Sequence, residues 1–252
     1  MEMSPWRRGL LTALSTLTAV PVGGREFEPE WEKALYWFVP VGFALGAAVC
    51  FPSLIFGGDG WGGAFAGGLL SLLLELLLTG GLHLDGAADL ADSLFSGKDR
   101  EEMLRILKDP RLGSFGAAAL FLILATKLGG YLILTRRGSA RFIIPLFALS
   151  RAAMVQSAAS GKSARKGEGT GAPFILAADG KASFAAWATA LVLSLPLLPP
   201  SRWYLPLIGI CAAWGMSRWA GRRLGGVTGD VLGAVGEGVF SLLLVVVVSG
   251  MP

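Results

Sequence analysis

Histidine and cysteine are almost absent from this chain of 252 residues, which holds one histidine, His83, and two cysteines, Cys50 and Cys211. Both cysteines stand in apolar surroundings with no Cys-x-x-Cys spacing and no histidine nearby, which excludes a disulfide framework and a zinc centre as organising features. Charge is scarce too: Asp, Glu, Lys and Arg make up 16% of the sequence against 53% hydrophobic residues, and mean hydropathy is +0.60. A soluble globule does not have this balance. The net charge of +4 includes no basic stripe interleaved with aromatics, so nucleic acid is not an expected partner. No internal repeat points to an inverted-repeat transporter. No small-x-small cleavage site follows the segment Trp6 to Val22 before the acidic stretch Glu26 to Glu32, so that segment reads as a short interfacial or re-entrant helix rather than a signal peptide.

What the chain does have is long apolar runs with the charges gathered between them. Candidate spans cover 34–57, 62–80, 116–134, 141–158, 182–199, 203–217 and 238–249, the last two short for a bilayer, so six to eight crossings are expected. The fold class is therefore all-α: a polytopic helical bundle forming one membrane-embedded domain over 1–252, with short helices and loops at one end. Glycine, at 36 residues, suits close helix packing in lipid. If all seven segments cross, one side collects 16 Lys and Arg and the other four, Arg136, Arg137, Arg141 and Arg202. The positive-inside rule assigns the first side, with every long polar loop, to the cytoplasm, and the protein to the cell membrane.

The informative segment lies in one of those loops. Asp85, Asp89 and Asp92 are spaced i, i+4, i+7 and so share one face of a helix. Like charges at that spacing repel, and carboxylates at interfacial depth are costly unless something positive sits against them. A divalent cation answers both points, and hard oxygen donors without a Cys or His cluster favour Mg²⁺ or Mn²⁺. The alternative is a solvated acidic face whose charges complement the helix dipole. Downstream, Lys108-Asp109-Pro110-Arg111 runs into Gly113-Ser114-Phe115-Gly116. Lys108 and Arg111, with Ser114, suit phosphate oxygens, and Asp109 could add a metal ligand, although a plain helix stop explains the turn as well.

Two further loops carry similar chemistry. Residues 164–171 combine Arg165, Lys166 and Glu168 with three glycines, which suits a nucleotide or phosphate and also describes an ordinary flexible loop. Asp230 and Glu237, seven apart, fall on one helical face beside a membrane span, which suggests cation or hydroxyl binding. Arg151 inside the fourth span needs a carboxylate or phosphate partner, while Glu75 and Lys127 either snorkel or pair within the bundle. His83, alone and interfacial, is either structural or a proton-transferring neighbour of the acids.

Taken in order, Gly81-Leu82-His83-Leu84-Asp85-Gly86 with Asp89 and Asp92, then Lys108-Asp109, Arg111, Gly113 and Gly116, the Arg165–Gly171 loop, and Gly229-Asp230-Val231-Leu232-Gly233-Ala234 with Glu237 closely resemble the cobalamin synthases, the adenosylcobinamide-GDP ribazoletransferase family. The sequence departs from that pattern at Pro110, Lys166 and Thr170. The resemblance implies a Mg²⁺-dependent membrane enzyme that joins adenosylcobinamide-GDP to α-ribazole or its 5′-phosphate and releases GMP. It implies Asp85, Asp89 and Asp92, with Asp109, as metal ligands. Lys108, Arg111, Ser114, Arg151, Arg165, Glu168 and Asp230 would then serve the substrates, and Asp92, Glu237 or His83 would take the proton of the attacking hydroxyl. Membrane lipid surrounds such an enzyme, and a homo-oligomer is compatible with it. Two rivals remain at this point. A CDP-alcohol phosphotransferase needs an Asp-Gly-x-x-Ala-Arg motif that Asp89-Leu90 does not begin, and a cation-coupled transporter usually places its acids near the midplane rather than at the boundary.

Overall fold

The computed structural model describes residues 3–22, 28–58, 60–165 and 169–251. Among them the chain forms helices and short 3-10 turns, with one isolated bridge between Ser163 and Val227. In order the helices are α1 (Pro5–Leu17), α2 (Trp31–Ile55), α3 (Gly60–Thr79), α4 (Leu82–Phe95), α5 (Arg100–Ile106), α6 (Ser114–Arg136), α7 (Ile143–Ala159), α8 (Ala172–Ala177), α9 (Gly180–Ser194), α10 (Leu205–Leu224) and α11 (Gly229–Ser249).

Six helical segments are long and apolar enough to cross a membrane: α2, α3, α6, α7 with its leading turn from Ala140, α9 with its continuation to Leu197, and α11. The polypeptide is thus a multi-pass membrane protein, within the six to eight crossings that the apolar runs indicate. α10 runs alongside them for 20 residues but carries Arg218, Arg222 and Arg223 at its end, which lowers its hydropathy. Its neighbours fix its depth. Arg202, just before it, donates to Val247 O at 2.7 Å and Gly250 O at 3.1 Å at the end of α11, whereas its own end at Leu224 leads within a few residues into the start of α11. α1 has 13 residues, about 20 Å of helix, too short for a hydrocarbon core of about 30 Å. It packs against α2, where Thr12 Oγ1 accepts from Glu30 N at 2.9 Å. That agrees with a short helix that does not span.

α7 is the central helix and is buried along nearly its whole length, which keeps its Ser150, Arg151 and Ser157 away from lipid. α2, α9, α10 and α11 surround it. At one end of the bundle the loops are tied to each other. Val227 N donates to Lys162 O at 2.8 Å and Ala164 N to Val227 O at 2.9 Å, which joins the loop after α7 to the loop before α11. Arg100 Nε, at the start of α5, donates to Leu224 O at 2.7 Å and caps α10. Those functional residues expected from sequence that fall among the described residues lie at this polar end or just beneath it.

The start of α11 differs from the span expected at 238–249. The helix begins at Gly229, nine residues earlier, because this stretch packs closely against α4, although Asp230 and three glycines interrupt its apolar residues in the sequence. Asp230 and Glu237 consequently sit on one helix, seven apart, as their spacing indicates.

Candidate active site

α4 positions the acids. Gly80 and Gly81, with φ of 62° and 70°, end α3 and turn the chain into α4 without the strain a side chain would meet in that region. α4 then packs backbone to backbone on α11. A Cβ on Gly86 would lie 3.0 Å from Asp230 Cα, and one on Gly233 would lie 3.1 Å from His83 Cα. This approach sets the exposed Asp85 and half-buried Asp89 beside Asp230. Asp89 is pushed up to about 6 by its burial, then by the negative charges of Asp85, Asp230 and Asp92. Asp230 Oδ2 accepts from Arg165 Nη2 at 3.3 Å and from Thr228 Oγ1 at 3.2 Å, so Arg165 is brought to the same place.

Asp92 has another task. Its Oδ2 accepts from Gly113 N and its Oδ1 from Gly116 N, both at 2.8 Å, so a carboxylate from α4 caps the first turn of α6 and opposes its positive dipole end. A Cβ on Gly113 or Gly116 would collide with that carboxylate, which is why glycine stands at both positions. Both oxygens are engaged, so Asp92 is in this arrangement an anchor rather than a free ligand or base. The carboxylates of Asp85 and Asp89, by contrast, make no hydrogen bond or ion pair among the described residues. Asp109 is turned to Arg111, which bonds it at 2.6 Å and 2.9 Å and holds its carboxyl down at about 2. The expected four-carboxylate cage is therefore not assembled, and among the described residues no three His, Cys, Asp or Glu side chains stand close enough to hold a metal ion. Lys108, Arg111 and Ser114 are exposed on the rim between α5 and α6. Glu168 and Lys166 lie outside the described residues.

Beneath the acids is a buried charged layer. Lys127 Nζ, on α6, lies 2.5 Å from Glu75 Oε1 on α3 and 2.5 Å from Glu237 Oε2 on α11, and Tyr131 donates to Glu75 Oε2 at 2.6 Å. Arg151 is fully buried, bonded to Ser150 Oγ at 3.0 Å and lying over the Phe147 ring. Gly42 makes room for it, since a Cβ there would press on its side chain. His83 is buried at the top of this layer, and its Nδ1 has no partner. Burial, then the charge of Arg151, drives its imidazole down to about 3, so it is neutral. His83, Glu237 and Arg151, expected to face substrate, instead belong to the interior of the bundle. Sequence reasoning left the pairing of Glu75 with Lys127 open; charges inside apolar helices were the signal that they face inward.

A family model described as cobalamin-5-phosphate synthase matches residues 9–248. The chain is similar to a protein of Chlorobaculum parvum named adenosylcobinamide-GDP ribazoletransferase, 42% identical over 91% of this chain and 90% of that protein. A Klebsiella pneumoniae protein of the same name is 34% identical over 94% of this chain and 99% of its own length. No solved structure matches.

Proposed function

This chain belongs to the cobalamin-5-phosphate synthase family, and we propose that it is an adenosylcobinamide-GDP ribazoletransferase, joining adenosylcobinamide-GDP to α-ribazole or its 5′-phosphate with release of GMP. The reaction is attack by a ribose hydroxyl on the phosphorus attached to cobinamide, with a nucleoside monophosphate leaving across the pyrophosphate bond. The observation that carries the placement of this chemistry is the pair Asp85 and Asp89, one turn apart with no partner of their own, between the anchored Asp92 and the Arg165–Asp230 pair.

Those residues fit Mg²⁺. The ion is ordinarily held by one or two carboxylates together with water and substrate phosphates rather than by a complete protein cage, and the upward displacement of Asp89 comes first from its burial and then from the surrounding negative charge, which a cation would offset. Asp85 and Asp89 would hold it. When bound, it supplies Lewis-acid stabilisation to the diphosphate and its leaving oxygen. Arg165, steadied by Asp230, reaches phosphate oxygens from the α11 side, and Lys108 and Arg111 do so from the rim. Asp92 holds the first turn of α6 against α4 and so fixes the spacing of that rim. His83 and Glu237 are buried beneath the acids, Glu237 paired with Lys127, so the proton of the attacking hydroxyl goes to the exposed carboxylate face.

The polar end faces the cytoplasm in this reading, because 16 Lys and Arg lie in segments on its side. The test is to incubate the detergent-purified protein with adenosylcobinamide-GDP and either acceptor, and to follow GMP and the cobamide by chromatography. Equimolar release of both supports the assignment. Absence of both from folded protein, in an assay validated with an active family member, removes it.

A further inference from the structure

The polar end also carries a concentration of charge of the opposite sign. A cavity of about 330 Å³ opens between the end of α7 and the last turns of α10, and Lys162, Arg218, Arg222 and Trp214 contribute to its wall. No acidic residue lines it. Among the described residues the three cations make no ion pair and no side-chain hydrogen bond, and Arg218 lies over the Trp214 ring, 5.7 Å from its centroid.

Cations in the last turns of a helix complement its dipole, which is the plainest reason for arginines at 218 and 222. That reason is incomplete here. The terminal carbonyl of Leu224 is already met by Arg100, and Arg218 and Arg222, four residues apart, repel each other with no acid between them. The floor of the cavity is fixed, because the Val227–Lys162 and Ala164–Val227 hydrogen bonds clamp the two loops together. Gly226 permits that clamp, since a Cβ there would lie 2.7 Å from Ala164 N. Trp214 and Trp219 face outward from the same stretch of α10, 60% and 45% exposed, as aromatics do where a protein meets the membrane surface. Three cations lining one cavity, a backbone floor held by hydrogen bonds and an aromatic wall at interfacial depth suit a phosphate group on a ligand with an apolar or aromatic body.

We propose that this cavity is a phosphate-binding site, distinct from the carboxylate face, that takes a phosphate mono- or diester through Lys162, Arg218 and Arg222 with the ligand body against Trp214. An anionic phospholipid headgroup and a soluble nucleoside phosphate both present this chemistry. The site does not depend on the transferase reading, because its test reads binding rather than turnover.

The experiment is native mass spectrometry of the full chain in detergent, titrated in one arm with phosphatidylglycerol and in the other with AMP, with phosphatidylcholine as the zwitterionic control. Saturable binding of one equivalent is expected in at least one arm, weakened about tenfold or more in Arg218→Gln/Arg222→Gln. It should be unchanged in Arg136→Gln/Arg137→Gln, which removes two cations from the far end of α6. Size-exclusion elution confirms folding, and Lys162→Gln gives a second variant with a single loop substitution. Binding in the phosphatidylglycerol arm alone identifies a lipid headgroup, and binding in the AMP arm alone identifies a soluble phosphate. Failure of both ligands to bind, or equal binding to wild type and the cavity variants, overturns the proposal.

Discussion

Lys127 Nζ lies 2.5 Å from Glu237 Oε2, deep in the bundle and two helical turns inward from Asp230. With Glu75 on its other side, this lysine ties α3, α6 and α11 into one unit directly beneath the acidic face. Removing one member of such a group strands the others as uncompensated buried charges, whereas the intact group is held by its mutual attraction.

Lys127→Met is therefore expected to destabilise the protein by about 3–5 kcal/mol, because two buried carboxylates lose their cation. Equilibrium unfolding in mixed micelles measures this. Stability equal to wild type would show that the carboxylates have other partners.

Gly233→Val tests the close approach of α4 and α11. The new Cβ would lie 3.1 Å from the His83 Cα and carbonyl oxygen, inside van der Waals contact, and overpacking of this kind costs about 1–3 kcal/mol. The helices can separate only by displacing Asp85 and Asp89 from Asp230, so turnover should fall more than the loss of stability explains. Wild-type kinetics in a folded variant would mean that the spacing of the two helices does not matter to the site.

For Asp92 the expectation differs from that for its neighbours. Asp92→Ala leaves two backbone donors at the start of α6 without their acceptor, which should cost about 1–2 kcal/mol as the loss of a helix cap. The Mg²⁺ concentration for half-maximal activity should stay as in wild type. A large rise in that concentration, with stability unaltered, would make Asp92 a ligand instead of an anchor.

The division between what the sequence discloses and what it conceals follows from range. Bilayer thickness imposes long apolar runs, so five of the crossing helices start and stop within about three residues of the runs that announce them. The face shared by Asp85, Asp89 and Asp92 is equally local, since it needs only the helical period. The start of α11 is not, because Asp230 and three glycines break up the apolar residues of Gly229 to Gly236, and what makes them helical is packing on α4, far off in sequence. Nor is the duty of Asp92, whose partners lie 21 and 24 residues onward, nor the pairing of Lys127 with Glu75 across 52 residues. Three carboxylates on one face look alike in sequence. The helices they meet give them different work.

The central claim is that Asp85 and Asp89 form the metal-dependent face of a ribazoletransferase. Its most direct measurement is GMP release from adenosylcobinamide-GDP and α-ribazole by purified wild type and Asp89→Asn, with Mg²⁺ titrated into chelator-treated samples. Wild type should be inactive until Mg²⁺ is restored, and Asp89→Asn should elute as folded protein yet lose about 100-fold or more of that activity. Full turnover by Asp89→Asn at the wild-type Mg²⁺ requirement would contradict the assignment.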